Sequence, residues 1–278
     1  MITSSAMMKL GLLSVLVLAF GVVAVDAQKI ADLDQIKQVS QLPADVPQRA
    51  NAIAFDGEKF WVPLYVDRGR IVTFDPKTET WDTKQDPKFA AAANRIFGKT
   101  LSPGGITFVD GKMWVANTYG DSFGWIDVDD PSTNMRYDKV IRPEWTNSQS
   151  YTDLTFDGTS IWASWLAGDY YGIDPSKTQL LLEINPKSGE VVSTFQIRFG
   201  GLADMAHGLA WDGENFWYGF QNSLRALDRQ GKALAKYSIK GISRISGLAW
   251  DGEALWIIEF NGKLWRLPLK GPSLKQPA

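Results

Sequence analysis

Along most of the chain the apolar residues fall in short runs that alternate with polar ones and stop at Asp-Gly, Pro or Gly. That period of two, punctuated by turn formers, predicts β-strands joined by tight reversals. The runs also repeat. Ala52-Ile53-Ala54-Phe55-Asp56-Gly57 leads to Phe60-Trp61, and Gly105-Ile106-Thr107-Phe108-Val109-Asp110-Gly111 leads to Met113-Trp114. Asp153-Leu154-Thr155-Phe156-Asp157-Gly158 leads to Ile161-Trp162 in the same way. Gly208-Leu209-Ala210-Trp211-Asp212-Gly213 leads to Phe216-Trp217, and Gly247-Leu248-Ala249-Trp250-Asp251-Gly252 to Leu255-Trp256. The second copy has one extra residue before Asp110 and one fewer after Gly111, a compensated slip that reads as a hairpin bulge.

Each copy continues into a second alternating run, a turn such as Asn185-Pro186-Lys187-Ser188-Gly189, and one more run. The unit is therefore four short antiparallel strands, A to D, with Asp-Gly marking the A-to-B hairpin. A four-stranded sheet repeated around an axis is a β-propeller blade. The repeated Trp residues are spaced 53, 48, 55 and 39 apart, and no sixth Asp-Gly-x-x-Trp is present. The fold expected is all-β, a five-bladed propeller of four-stranded antiparallel blades. After Trp256 only strands B and C remain before a Pro-rich tail, so the last blade lacks strand D. Residues 35–42 alternate correctly and are expected to supply it beside residues 264–267, closing the ring without a disulfide.

Composition now has an explanation. The chain of 278 residues carries 12 Trp, 14 Phe and 8 Tyr. The column Phe55, Phe108, Phe156, Trp211, Trp250 and the column of repeated Trp are expected between neighbouring blades, where each ring buries roughly 150–250 Å². The Asp of each Asp-Gly turn is assigned to structure, because every copy has one. Lys+Arg total 29 against 31 Asp+Glu, with no basic block, which excludes nucleic-acid binding as the main task. No cysteine is present, so stability rests on packing and closure. Lys9, the apolar run over 10–25 and Val25-Asp26-Ala27 read as a Sec leader cleaved after Ala27, with Met1, Met7 or Met8 as the start. The expectation is a secreted or periplasmic single domain over 28–278, a monomer with no membrane span once the leader at 1–27 is removed.

In such a ring the D-to-A and B-to-C connections leave one face and the A-to-B and C-to-D turns the other. The long connections, 82–103, 142–151, 198–206 and 166–179, all belong to the first face. The first of them holds an expected short helix capped by Asp86, begun at Pro87 and ended at Gly98. Repeat proteins accept insertions where they bind, so this decorated face is the expected acting face. Around its opening the repeat breaks down. Asn51, Gly104, Thr152 with Asp153, His207 and Ser246 approach strand A, and Leu64, Asn117, Trp165, Phe220 and Glu259 stand three past each repeated Trp.

Three chemistries suit these residues. Asn51, Asn117, Asp153 and Glu259 are oxygen donors of the kind that hold Ca²⁺ or another divalent cation. His207, the single histidine, is a candidate general base beside Asp153 and Glu259. Tyr65, Tyr119, Trp165, Tyr170 and Tyr171, with Phe220 and Gln221, are candidates to line a cleft for a flat or cyclic ligand. No Gly-x-Ser-x-Gly elbow, phosphate loop, His-Glu-x-x-His or nucleophilic Cys is present.

The repeat Gly-Leu-Ala-Trp-Asp-Gly-x-x-Leu-Trp resembles that of exported propellers and is loosely similar to the gluconolactonase-like, NHL-like and plant-type glutaminyl cyclase propellers, over nearly all of residues 28–278. The gluconolactonase resemblance implies an axial metal held by Glu, Asn and Asp, types found here at Glu259, Asn51 or Asn117, and Asp153. The cyclase resemblance implies acid/base work by a central carboxylate such as Glu259. Two functions stay open: binding of a small molecule, glycan or protein partner at the decorated opening, or catalysis there as a metal-assisted, lactonase-like hydrolase, a lyase or a cyclotransferase using Glu259, His207 and Asp153.

Overall fold

The computed structural model describes residues 33–65, 70–84, 86–97, 103–117, 123–137, 149–167, 179–197 and 207–269. The leader and its cleavage point, Tyr119, Trp145, Tyr170, Tyr171 and much of the long connections lie outside them. Five four-stranded antiparallel sheets form the five blades that the repeat predicts. After β1 (Lys37–Gln41), blade 1 is β2 (Ala54–Phe55), β3 (Phe60–Pro63), β4 (Ile71–Asp75) and β5 (Thr80–Asp82). Helix α1 (Pro87–Phe97) leads to blade 2, which is β6 (Pro103–Val109), β7 (Lys112–Asn117), β8 (Phe123–Asp127) and β9 (Asn134–Tyr137). Blade 3 is β10 (Gln149–Phe156), β11 (Ile161–Ala167), β12 (Gln179–Ile184) and β13 (Val191–Ile197). Blade 4 is β14 (Gly208–Trp211), β15 (Phe216–Phe220), β16 (Ser223–Leu227) and β17 (Ala233–Ser238). Blade 5 is β18 (Ile245–Trp250), β19 (Ala254–Glu259) and β20 (Lys263–Pro268), completed by β1. No described helix is long and apolar enough to cross a membrane.

Closure follows the expected register, with Lys37 opposite Arg266 and Gln41 opposite Lys263. The Trp81 indole of blade 1 donates to Ser40 Oγ at 2.9 Å, so the closing strand is also tied to the next blade. Antiparallel pairing of β1 with the last strand completes the fifth sheet and joins the start of the ring to its end, with β1 as that blade's outer strand.

Each Asp-Gly turn is a small clamp. In blades 1, 3, 4 and 5 the Asp Oδ1 accepts two backbone N–H groups of its own turn, as Asp212 does from Glu214 at 2.8 Å and Asn215 at 2.7 Å. The other oxygen accepts the indole N–H of the Trp five residues on: Asp56 from Trp61 at 2.6 Å, Asp157 from Trp162 at 2.9 Å, Asp212 from Trp217 at 2.7 Å and Asp251 from Trp256 at 2.5 Å. Glycine follows because the turn needs positive φ, 104° at Gly57 and 99° at Gly213. Blade 2 differs. Val109 pairs directly with Lys112 across a two-residue turn, with Asp110 at φ 50° and Gly111 at φ 72°. The slip read in the sequence is thus a tighter hairpin of the kind that needs two positive φ values. It moves the carboxylate one place on, and the buried Trp114 indole nitrogen has no hydrogen-bond partner.

The core lies in the five seams between blades. Trp61 packs with Phe108 of the next blade, Trp114 with Phe156, Trp162 with Trp211, Trp217 with Trp250, and Trp256 with Phe55 across the closure. The two aromatic columns therefore meet once per seam, as expected. Helix α1 starts where predicted, with Asp86 Oδ1 accepting the Lys88 N–H at 2.8 Å. Its place is different from the one expected. Phe89, Ala92 and Ala93 form one apolar stripe buried in the seam of blades 1 and 2 beside Ile71, Ile106 and Met113, so the helix fills that seam.

Asp212→Asn replaces an oxygen that faces an indole N–H by an N–H donor, and the expected loss is about 1–3 kcal/mol by urea unfolding. Asp110→Asn, which keeps a residue tolerant of positive φ and breaks no clamp, is expected to cost less than about 0.5 kcal/mol.

Candidate functional site

Strand A of every blade runs from the decorated face toward the Asp-Gly face, and at the axis these strands touch backbone to backbone. A Cβ on Gly105 would lie 2.4 Å from Asp153 Cα, and one on Gly247 would lie 2.8 Å from Ala52 Cα. Asp153 fills the remaining space. It is fully buried, with Oδ1 accepting the Leu154 N–H at 2.9 Å and Oδ2 accepting the Leu209 N–H at 2.8 Å, and it also accepts from the Leu248 N–H. One carboxyl thus joins strands A of blades 3, 4 and 5. Burial pushes its pKa well above the usual carboxylate range, against the three N–H groups that draw it down.

The other oxygen donors are not gathered around it. Glu259 ends β19 fully buried, with Oε2 accepting from the Ser243 N–H at 2.8 Å and the Ser243 hydroxyl at 2.6 Å, and Oε1 from the Trp265 indole at 2.8 Å. It anchors the connection into strand β18 to strand β20. The Asn51 amide donates to the Pro103 carbonyl and stitches blade 1 to blade 2. Asn117 is buried at the end of β7. Among the described residues no group of three or more His, Asp or Glu is placed to hold a metal ion. With Asp153 accepting backbone N–H groups at both oxygens and Glu259 holding Ser243 and Trp265, the donor set expected for an axial cation does not fit one.

The aromatic candidates divide. Trp165, expected to line a cleft, is 2% exposed and packed in the seam of blades 2 and 3 opposite Tyr151, because strand β11 turns that register position toward the neighbouring blade. Phe220 and Tyr65 are half-buried and Gln221 is exposed on the decorated face. Tyr65 lies tilted against Phe260, with ring centroids 6.1 Å apart. Over Phe260, 4.5 Å from its centroid, lies the guanidinium of Arg244, a residue that the repeat did not single out. Its signal is faint: one of two cations, with Lys240, in the short connection ahead of Ser246.

His207 stands next to this arc. Its backbone N–H donates to the Gly219 carbonyl at 3.0 Å, and its ring is pushed down to a pKa of about 4, first by burial and then by the charge of Arg244. The imidazole is therefore neutral at ordinary pH. Arg244, His207, Phe260 and Tyr65 together offer a cation, a neutral imidazole and two ring faces across blades 4, 5 and 1. In blade 3 the Thr152 and Ser164 hydroxyls bond one another, with the Gln179 amide 3.5 Å from Thr152 Oγ1.

On the opposite face a cavity of about 480 Å³ opens at the axis, ringed by the Asp-Gly turns. The sequence reading treated that face as plain structure.

No family model matches the sequence, and no curated protein sequence matches it. Solved structures of similar fold include virginiamycin B lyase from Staphylococcus aureus, with a TM-score of 0.52 and 15% identity over 85% of this chain and 99% of that one. Glutaminyl cyclase of Myxococcus xanthus aligns with a TM-score of 0.56 and 8% identity over 85% and 97%. A gluconolactonase from Xanthomonas campestris aligns at 0.48 and 15% identity over 84% and 89%. At these identities the likeness to the lyase and the cyclase is one of fold, as expected of a propeller.

The His207 ring makes stability depend on pH with a definite sign. The unfolded chain takes up this proton near 6.5 and the folded chain only near 4, so His207 contributes stability above 6.5 that is lost as pH falls toward 4. Asp153 acts in the opposite sense, its stabilisation falling as pH rises from 3.8 through its raised value. Urea unfolding of wild type and His207→Gln at pH 4.5 and 7.5 isolates the first effect. The wild type is expected to gain on the variant by up to about 3 kcal/mol at the higher pH.

Proposed function

We propose that the decorated face binds a small organic ligand over the Asp153 plug, oriented by Arg244 and His207 and stacked on Phe260 and Tyr65. One observation carries this reading. Of the most deeply buried polar side chains among the described residues, Asn117, Gln179, Ser246 and Glu259 lie at or next to the decorated ends of their strands, and Thr152, Asp153 and Ser164 lie midway along β10 and β11 of blade 3. Burying polar groups costs stability unless each is matched, and the equivalent ends of the other blades use apolar residues such as Leu64. A rigid, satisfied polar base under an arc with a cation and ring faces suits a ligand that carries a carboxylate or several carbonyl or hydroxyl groups, sugar acids included.

A second reading adds chemistry at the same place. His207 held unprotonated is the form that accepts a proton, and two proteins of similar fold are a lyase and a cyclase. No step is routed through a metal ion, since the donors do not fit one.

The test is calorimetric and thermal-shift screening with sugar acids, aromatic carboxylates and neutral glycans. At least one anionic probe is expected to bind and to lose about tenfold or more in affinity in Arg244→Ala, the range of a charge-assisted hydrogen bond. Arg244 is exposed, so the melting temperature is expected to stay within about 2 °C. Binding that survives in both Arg244→Ala and Tyr65→Ala would remove the proposal. Where a bound probe is also turned over, His207→Gln is expected to abolish turnover with little change in Kd.

A further inference from the structure

The cavity on the Asp-Gly face is built for a different ligand. Its floor is aliphatic, formed by Ile53, Ile106, Leu154 and Leu248, each at most 2% exposed, where the A strands converge. Above the floor stands one ring from each blade: Phe55, Phe108, Phe156, Trp211 and Trp250. Apart from Trp211 these rings are only half-buried, although a purely structural column would be closed over. The charged groups at the mouth are the carboxylates of four Asp-Gly turns, Asp56, Asp110, Asp157 and Asp212, and one cation, Arg229.

That cation is already engaged. The Arg229 guanidinium lies 3.0 Å from Asp157 Oδ2 and 4.5 Å over the Trp211 ring. Lys59 and Lys112, from two of the same turns, lie over Trp61 and Trp125, which belong to strands farther from the axis. The mouth is left with an excess of negative charge above ring faces that carry a negative quadrupole, and both attract a positive group from the same side. Arg229 on Trp211 is the protein's own instance of that attraction.

We infer that this funnel binds a hydrophobic organic cation: a substituted ammonium seated among the rings below the turn carboxylates, with its apolar body against the aliphatic floor. A cavity of about 480 Å³ suits a small ligand of this class. The site lies on the opposite face from the one proposed above, and neither reading depends on the other.

The experiment compares benzyltrimethylammonium with its uncharged isostere neopentylbenzene and with phenylacetate. Binding is followed by calorimetry and by tryptophan fluorescence at about 0.15 M salt, where surface attraction alone is screened. The cation is expected to bind about tenfold or more tighter than the isostere, with phenylacetate weakest. Arg229→Gln removes the competing cation and is expected to tighten cation binding about threefold or more, while Trp250→Leu weakens it about fivefold. Arg229 is half exposed, so its replacement decides the question even if Trp250→Leu fails to fold. An isostere that binds as tightly as the cation, a preference for phenylacetate, weaker cation binding in Arg229→Gln, or no cation binding up to about 10 mM would each overturn the inference.

Discussion

The structure depends on a hydrogen bond inside four of the five A-to-B hairpins, from the indole N–H of the repeated Trp to the carboxylate of the turn before it. A Trp in a seam between sheets brings a large apolar area and one polar atom that must be matched. The turn carboxylate matches it locally, without reaching into the neighbouring blade, and the same carboxylate holds the turn closed through two backbone N–H groups. The ring is thereby aimed at the next blade's strand A, where its partner aromatic waits. Local chemistry and long-range packing are fixed by one residue pair, repeated. Blade 2 shows the alternative: a tighter turn, an unmatched indole nitrogen, and a seam that relies on packing around Trp114, Phe123 and Tyr137.

Legibility in the sequence follows from the same repetition. Blade number, strand order, the hairpin turns and the closure by β1 are consequences of which residues recur, and those are visible without coordinates. The decorated ends are harder, because identity of position does not give direction of side chain. Glu259 and Trp165 occupy the same repeat position as Asn117, yet each is turned into a seam or a connection, away from the axis. A strand sandwiched between blades has no solvent face, so a polar residue on it can be buried for anchoring as readily as for binding. Asp153 is the converse case: correctly placed at the axis, it serves as a pin because three backbone N–H groups reach it. Arg244 does not stand out in the repeat, because its place, two residues before Ser246, is taken by Arg49 in blade 1 and by Ser102, Ser150 and Met205 in the other copies.

Five blades make a narrow axis. With strands A in backbone contact at Gly105 and Gly247, and a carboxyl filling the gap, no continuous channel is left at that level. The hub presents two faces back to back, one of them opening into the cavity at the Asp-Gly turns, and their chemistry differs for a reason rooted in chain direction. At the decorated end, strand ends feed connections of unequal length, so each blade contributes a different side chain, and the surface is asymmetric and polar. At the Asp-Gly end four blades share one turn and blade 2 has a tighter variant, so the surface is close to pseudo-symmetric, with a ring from every blade and turn carboxylates from blades 1 to 4 in the cavity lining.

That asymmetry bears on what each depression can recognise. A ligand with distinct polar groups needs a surface without symmetry, and only the decorated face has one, with Arg244 and His207 on adjacent blades and the Tyr65 and Phe260 rings beside them. A ligand that presents a rounded, weakly directional charge needs no such distinction, and a ring of equivalent aromatics under equivalent carboxylates serves it well, since cation–π attraction and screened charge are both tolerant of orientation. Beyond the tighter turn of blade 2, Arg229 breaks the pseudo-symmetry of that face by pairing with Asp157 and lying on Trp211. The position of that one guanidinium therefore sets which side of the funnel carries the free negative charge, toward blades 1 and 2, where Asp56 and Asp110 stand without a guanidinium of their own in the lining.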